Sequence, residues 1–229
     1  MRVEPFTVGS YVHLMKRGAR GLPISRDLKD QWRFVKLLYH MNDEFKSDVW
    51  EREVRDLGLF ERPPSWPSRK PLVKILAWVL MPNHTHLLLR EIKEGGITKF
   101  SRKIFDSMSR HFNEKYAEKG SLFQGPYRAR TISEDSHFRH LCVYIMVKNV
   151  FELYPNGGLK KAVEQFDEAW EWAVHRYPFS SLADYATTRT SPIIDKDLLG
   201  ELFSSPAEFR AHAEQSLREG EMDDEKMEL

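Results

Sequence analysis

Two apolar runs of strand length, residues 73–80 and 84–90, are separated only by Met81-Pro82-Asn83. A connector this short allows little besides an antiparallel hairpin, so the chain must build its core around a sheet. Upstream, residues 8–15 read as a strand, followed by the basic turn Lys16-Arg17-Gly18-Ala19-Arg20-Gly21. Ser25 and Asp27 then open an amphipathic helix carrying Leu28, Trp32, Val35 and Leu38 at helical spacing. A short helix is expected within 43–62, before the breaker run Arg62-Pro63-Pro64-Ser65-Trp66-Pro67. Downstream of the hairpin the pattern predicts a long helix over 97–119, a strand over 125–132 and a helix over 135–150. The order strand, helix, strand, strand, helix, strand, helix predicts an α+β fold. In it a mainly antiparallel, ferredoxin-like sheet is covered by helices.

Charge divides the 229 residues in two. Residues 1–150 hold 27 Lys and Arg against 17 Asp and Glu, a net of +10, whereas residues 151–229 hold 8 against 17, a net of −9. The first part is read as the core domain and the second, past Tyr154-Pro155-Asn156-Gly157-Gly158, as a C-terminal extension. That extension has a helix near 159–174 and an acidic end from 219. A basic body of this kind suits a polyanion such as nucleic acid. Cys142 stands alone, which excludes a disulfide scaffold and a cysteine zinc cluster. No run approaches the roughly 18 apolar residues of a membrane span. The opening Met1-Arg2-Val3-Glu4-Pro5 has no apolar signal core, so the expected location is cytoplasmic with no membrane partner.

Three segments carry chemistry. In Met81-Pro82-Asn83-His84-Thr85-His86 the two histidines alternate along a strand, so their imidazoles share a face and can share one divalent metal. Tyr144 lies on a helix four residues from both His140 and Lys148. A tyrosine can attack phosphate when a metal polarises the phosphate and a nearby cation favours the phenolate. The segment Gly120-Ser121-Leu122-Phe123-Gln124-Gly125-Pro126-Tyr127-Arg128-Ala129-Arg130 combines flexible backbone, stacking rings and arginines, a mixture that suits DNA.

These three occur in order, and together they resemble the HUH single-tyrosine transposases, in particular the REP-associated tyrosine transposases. That family has an "MPNHxHLL" strand, an "LFQGRY" element and a "YIxxN" or "YIxxQ" helix. Here the matching residues are Met81 to Leu88, Leu122 to Tyr127 and Tyr144 to Lys148. The early His13, Arg17 and Gly18 and the late Tyr177-Pro178-Phe179-Ser180-Ser181 also fit, so the resemblance spans about residues 8 to 185.

The resemblance implies a metal-dependent single-stranded DNA endonuclease and strand transferase acting at or near hairpin DNA. Tyr144 would be the nucleophile, forming a 5′-phosphotyrosine, with His84 and His86 holding Mg2+ or Mn2+ and no nucleotide cofactor required. Arg17, Gln124, Arg128 and Arg130 are the expected DNA contacts, with Phe123 and Tyr127 for stacking. Relatives occur as homodimers and as monomers. One position departs: Lys148 stands where the family has its ligating amide, and an ammonium cannot ligate. Three solutions follow: Asn149 turns in through a helix distortion, His140 serves from the other side, or two histidines act with water and substrate phosphate. The last ranks first, because it invokes no unusual backbone. An alternative function is a domesticated hairpin-binding protein whose metal site has decayed.

Overall fold

The computed structural model describes residues 6–220; the opening pentapeptide and the acidic end beyond 220 lie outside the described residues. Four strands form one sheet in the order β2-β3-β1-β4, all neighbours antiparallel. They are β1 (Tyr11–Arg17), β2 (Val73–Leu80), β3 (His84–Glu91) and β4 (Arg128–Ile132). Helix α1 (Leu28–His40) and the short α2 (Trp50–Glu53) lie between β1 and β2, and α3 (Gly96–Tyr116) lies between β3 and β4. The fold is therefore the α+β arrangement of the ferredoxin-like type.

Cross-strand partners project to the same face. The register pairs Met15 with His86 and Arg17 with His84, and on the other side His13 with Arg130 and Met15 with Arg128. Both candidate histidines thus share one face of the sheet with His13, Arg17, Arg128 and Arg130. The alternate residues Val12, Leu14, Leu87 and Leu89 point the other way, into a core shared with α1 and α3. Asp27 caps α1 by accepting from the Asp30 N–H at 2.9 Å. The inward residues of α1 are Phe34, Val35, Leu37 and Leu38, whereas the expected Leu28 and Trp32 lie exposed.

On the histidine face, α4 (Asp135–Val143), a π-turn (Tyr144–Lys148) and α5 (Asn149–Glu152) follow β4. Helices α6 (Gly158–Glu164), α7 (Phe166–His175), α8 (Leu182–Ala186), α9 (Asp197–Leu202) and α10 (Pro206–Arg218) complete the layer. Their buried residues Phe166, Trp170, Phe209 and Ala213 join Val79, Leu88 and Val147 in a second core. The expected helix over 159–174 is two helices, because Gln165 leaves helical dihedrals at φ −110°, ψ 48°. The strand expected from 125 begins only at Arg128. Gly125 takes φ +64° and Pro126 has no N–H to give to a ladder.

Tyr177-Pro178-Phe179-Ser180-Ser181 closes the β2 edge. The Leu80 N–H donates to the Phe179 carbonyl at 2.9 Å and the Ser181 N–H to the Trp78 carbonyl at 3.0 Å. The Tyr177 hydroxyl donates to the Leu80 carbonyl, and the Tyr185 hydroxyl to the Leu76 carbonyl at 2.7 Å. Further along, the Asp195 N–H donates to the Ile75 carbonyl at 3.0 Å.

Candidate functional site

The turn between β2 and β3 is held by the loop after β1. The Gly18 N–H donates to the Asn83 carbonyl at 2.7 Å, and the Ile24 N–H to the Pro82 carbonyl at 2.8 Å. Gly18 has to be glycine: a Cβ there would stand 2.1 Å from the Leu22 carbonyl oxygen. This brace fixes the start of β3, and with it His84. His84 Nδ1 is 2.7 Å from the Asn83 side-chain oxygen. An amide oxygen only accepts, so Nδ1 carries the proton and the ring's lone pair is on Nε2.

His86 is 1% exposed, and its Nδ1 lies 2.8 Å from Nε2 of His13, also 1% exposed. Burial drives the His13 pKa down to about 3, and it drives that of His86 well below its ordinary value, with His13 and His84 adding to the effect. The pair is therefore neutral, and one ring donates to the other. When Nδ1–H of His86 donates, its Nε2 bears the lone pair a cation needs. His13 entered the sequence reading only as part of an early motif. Its contact depends on the β1–β3 register, which local pattern does not encode.

Tyr144 lies across this pair, with ring centroids 5.4 Å from His86 and 6.4 Å from His13. It is 3% exposed and borders a cavity of about 440 Å³, along with Arg17, Asn83, His84, Asn149 and Glu152. The helix carrying it is not the regular one expected over 135–150. From Tyr144 to Lys148 it is π-helical, and the Asn149 N–H bonds the Tyr144 carbonyl five residues back. The Asn149 side-chain nitrogen donates to the same carbonyl at 2.7 Å, which fixes the orientation of the amide. The π-turn takes up one extra residue, so Asn149 rather than Lys148 borders the cavity. Lys148 is 5% exposed, stands 5.2 Å from the Tyr144 ring centroid and pairs with Glu152 at 2.9 Å. The backbone is thus unusual at the very place where a two-histidine site would have needed no distortion.

The other expected residues are distributed unevenly. Arg128 and Arg130 are exposed on the edge strand, facing the histidine side, and Arg17 is exposed at the cavity. Gln124 is exposed, and its N–H bonds the Arg17 carbonyl at 2.9 Å. Tyr127 is half-buried, with its hydroxyl 3.3 Å from that of Thr98. Phe123 is corrected: it is 4% exposed, packed edge-on to Phe105 under the Lys16 ammonium, so it offers no open face to a base. His140 is corrected too. It stacks on His212 of α10 with ring centroids 6.0 Å apart and does not border the cavity.

Among the described residues no group of three His, Cys, Asp or Glu is arranged to hold a metal ion. The cavity wall also carries two amides, Asn83, whose oxygen is taken by His84, and Asn149. Two imidazoles and one amide oxygen form a mixed donor set that a divalent cation such as Mn2+ or Mg2+ can take when water and phosphate oxygens complete its shell.

Residues 68–148 match the family described as "Transposase IS200 like". Over that segment the chain is similar to the IS200-like transposases. The matched residues include β2, β3, α3, β4 and α4, and with them His84, His86, Tyr144 and Lys148. Asn149 is the next residue after the match ends. No curated protein sequence matches the chain. Among solved structures, the chain is similar to a REP-associated tyrosine transposase bound to a REP hairpin. The two share 15% identity with a TM-score of 0.41, over 84% of this chain and 88% of that one. Within the matched segment the two histidines are on the sheet and the tyrosine on the covering helix, and packing of that helix on β2 brings them together. Among the described residues no helix is long and apolar enough to cross a membrane.

Proposed function

We propose that the chain is a metal-dependent single-stranded DNA endonuclease and strand transferase, cleaving at or near hairpin DNA through a tyrosine nucleophile. The observation that carries this reading is the edge contact of Tyr144 with His86, beside a cavity walled by His84 and Asn149, in a chain with an IS200-like transposase segment. Mg2+ or Mn2+ would be held by His84, His86 and the Asn149 amide oxygen, supplying Lewis-acid polarisation of the scissile phosphate when bound.

In this reading the Tyr144 oxygen forms a bond to phosphorus while the bond from phosphorus to the 3′ oxygen breaks. The phenol proton is lost to solvent, and the leaving 3′ oxygen takes up a proton as a free hydroxyl. The DNA 5′ end stays on Tyr144 as a phosphotyrosine. Attack by a second 3′-hydroxyl reverses the step and joins new strands, which is why no nucleotide cofactor is required. Lys148, over the phenol ring, favours the phenolate, and Glu152 holds its ammonium in place. Arg17, Arg128 and Arg130 share the histidine face and supply phosphate contacts, with Tyr127 as the stacking ring. A cytoplasmic location belongs to the same reading.

The test is incubation with end-labelled single-stranded hairpin DNA and Mn2+, followed by a denaturing gel. Wild type is expected to give a protein–DNA adduct. Tyr144→Phe keeps the ring but lacks the oxygen, so it should give none while retaining hairpin affinity within about threefold. An adduct from the Phe variant would assign the nucleophile elsewhere. Tight binding by wild type without any adduct would favour the domesticated hairpin-binding protein instead.

A further inference from the structure

Both histidines on β3 have Nδ1 engaged, but by partners of different chemistry. For His84 the partner is the Asn83 amide oxygen at 2.7 Å. The orientation of that amide is fixed from its far side, where the Asn83 nitrogen donates to the Gly21 carbonyl at 3.3 Å. Nε2 of His84 is therefore a lone pair in any state of the neutral ring. For His86 the partner is the His13 imidazole, and an imidazole nitrogen can either give or take the proton. If His13 Nε2 donates, the proton of His86 is on its own Nε2 and the ring cannot ligate. If His86 Nδ1 donates, its Nε2 is free and the proton of His13 sits on Nδ1. The two forms are neutral and hold the same number of protons, so they differ in proton placement alone.

The sheet register delivers His13 to this contact. His86 stands opposite Met15, which makes His13 its diagonal neighbour on the same face. Both rings are 1% exposed, so each is the other's enclosed partner. The surrounding charge favours one form. Apart from the neighbouring imidazoles His84 and His137, two permanent cations, Lys148 and Arg17, act on His86, and one, Arg130, acts on His13. A facing cation stabilises a lone pair and opposes an N–H. The outward nitrogen of His86, its Nε2, is thus the better place for the lone pair. A divalent cation at Nε2 of His84 selects the same form, because it can bind one form of the pair and not the other.

We infer that His13 is a positioning residue for His86: it accepts the Nδ1 proton of His86 and so presents the His86 Nε2 lone pair to the divalent cation. The cation in this statement rests on the proposed function, whereas the direction of the hydrogen bond is independent of it. A histidine pair kept for packing alone would be indifferent to that direction.

The test reads the tautomer on metal-free, isotope-labelled protein by two-bond proton–nitrogen correlations of the imidazoles at neutral pH, and Mn2+ affinity by calorimetry. Full-length wild type is compared with His13→Gln, whose amide oxygen can accept from Nδ1, and with His13→Leu, which fills the space without an acceptor. Wild type is expected to hold His86 as the Nδ1–H tautomer. Mn2+ affinity should fall at least tenfold in His13→Leu and stay within about threefold in His13→Gln, with far-ultraviolet circular dichroism unchanged in both. An Nε2–H tautomer of His86 in wild type overturns the inference, and that measurement needs no variant to fold. So does a folded His13→Leu protein that binds Mn2+ like wild type, or an equal loss in the Leu and Gln variants. The Tyr144 adduct assay is scored separately. Absence of an adduct alongside Mn2+ binding that depends on His13 would sink the proposed cleavage and leave the positioning role standing, whereas a wild type that binds no Mn2+ would sink both.

Discussion

Asn149 and Lys148 are neighbours in sequence with opposite surroundings: the amide borders the Tyr144 cavity, and the ammonium is buried against Glu152. Counting four residues on from the tyrosine arrives at the lysine, and by that count the chain has lost a ligand. The π-turn changes the count. Asn149→Ala should weaken Mn2+ affinity by about tenfold, the size of effect expected for a neutral oxygen donor or its support. Lys148→Gln should leave Mn2+ affinity within twofold, because the side chain at 148 does not border the cavity. Calorimetric titration of both variants with Mn2+ checks this, and an Asn149→Ala protein that binds like wild type would remove the amide from the site. Phe123 and His140 show the same limit of reading along the string. Residue type in a linear string showed what each could do, but not which partner, Phe105 or His212, would claim it.

At the scale of elements, the hairpin was the most legible part of the chain. Apolar runs and a Pro-Asn turn specify β2 and β3 locally, and α1 announces its start through Asp27. The π-turn was not legible, because Tyr144-Ile145-Met146-Val147-Lys148 is apolar enough to continue any helix. Val147 and Val150 are buried in the same core as Val79 of β2, a tertiary environment that local pattern does not encode. Deletion of Lys148 offers a test at this scale. It leaves Asn149 four residues from Tyr144, where a regular α-helix would again direct the amide towards the cavity. The shortened protein should keep its far-ultraviolet circular dichroism and its Mn2+ affinity within about threefold, at the cost of the Lys148–Glu152 pair, worth about 1 kcal/mol or less. Loss of metal affinity in a folded deletion variant would show that the π-turn does more than absorb a residue.

Across the whole molecule, three imidazoles are buried in neutral form. Burial lowers His13 to about 3 and His40 to about 4, and pushes His86 well down. The unfolded chain binds a proton at each near pH 6.5 and the native state does not. Where the unfolded state holds more protons, stability rises with pH. Their contribution is therefore complete above about pH 6.5 and declines as pH falls towards 4, by up to about 1.4 kcal/mol per group per pH unit. Urea denaturation at several pH values should show uptake of about three protons on unfolding near pH 5, and about two in His13→Gln. A pH-independent midpoint between 7 and 5 would contradict the buried neutral pair. The backbone bonds that fasten residues 179–195 to β2 have a consequence of another kind. They join parts of the chain 99 to 120 residues apart, and Phe209 and Ala213 finish the core that buries the Tyr144 helix. Such long-range closure is slow. During synthesis the chain emerges from its N-terminus, so the strands and the tyrosine leave the ribosome well before the helices that cover them. The tyrosine face is thus assembled only after the chain through Ala213 has been made.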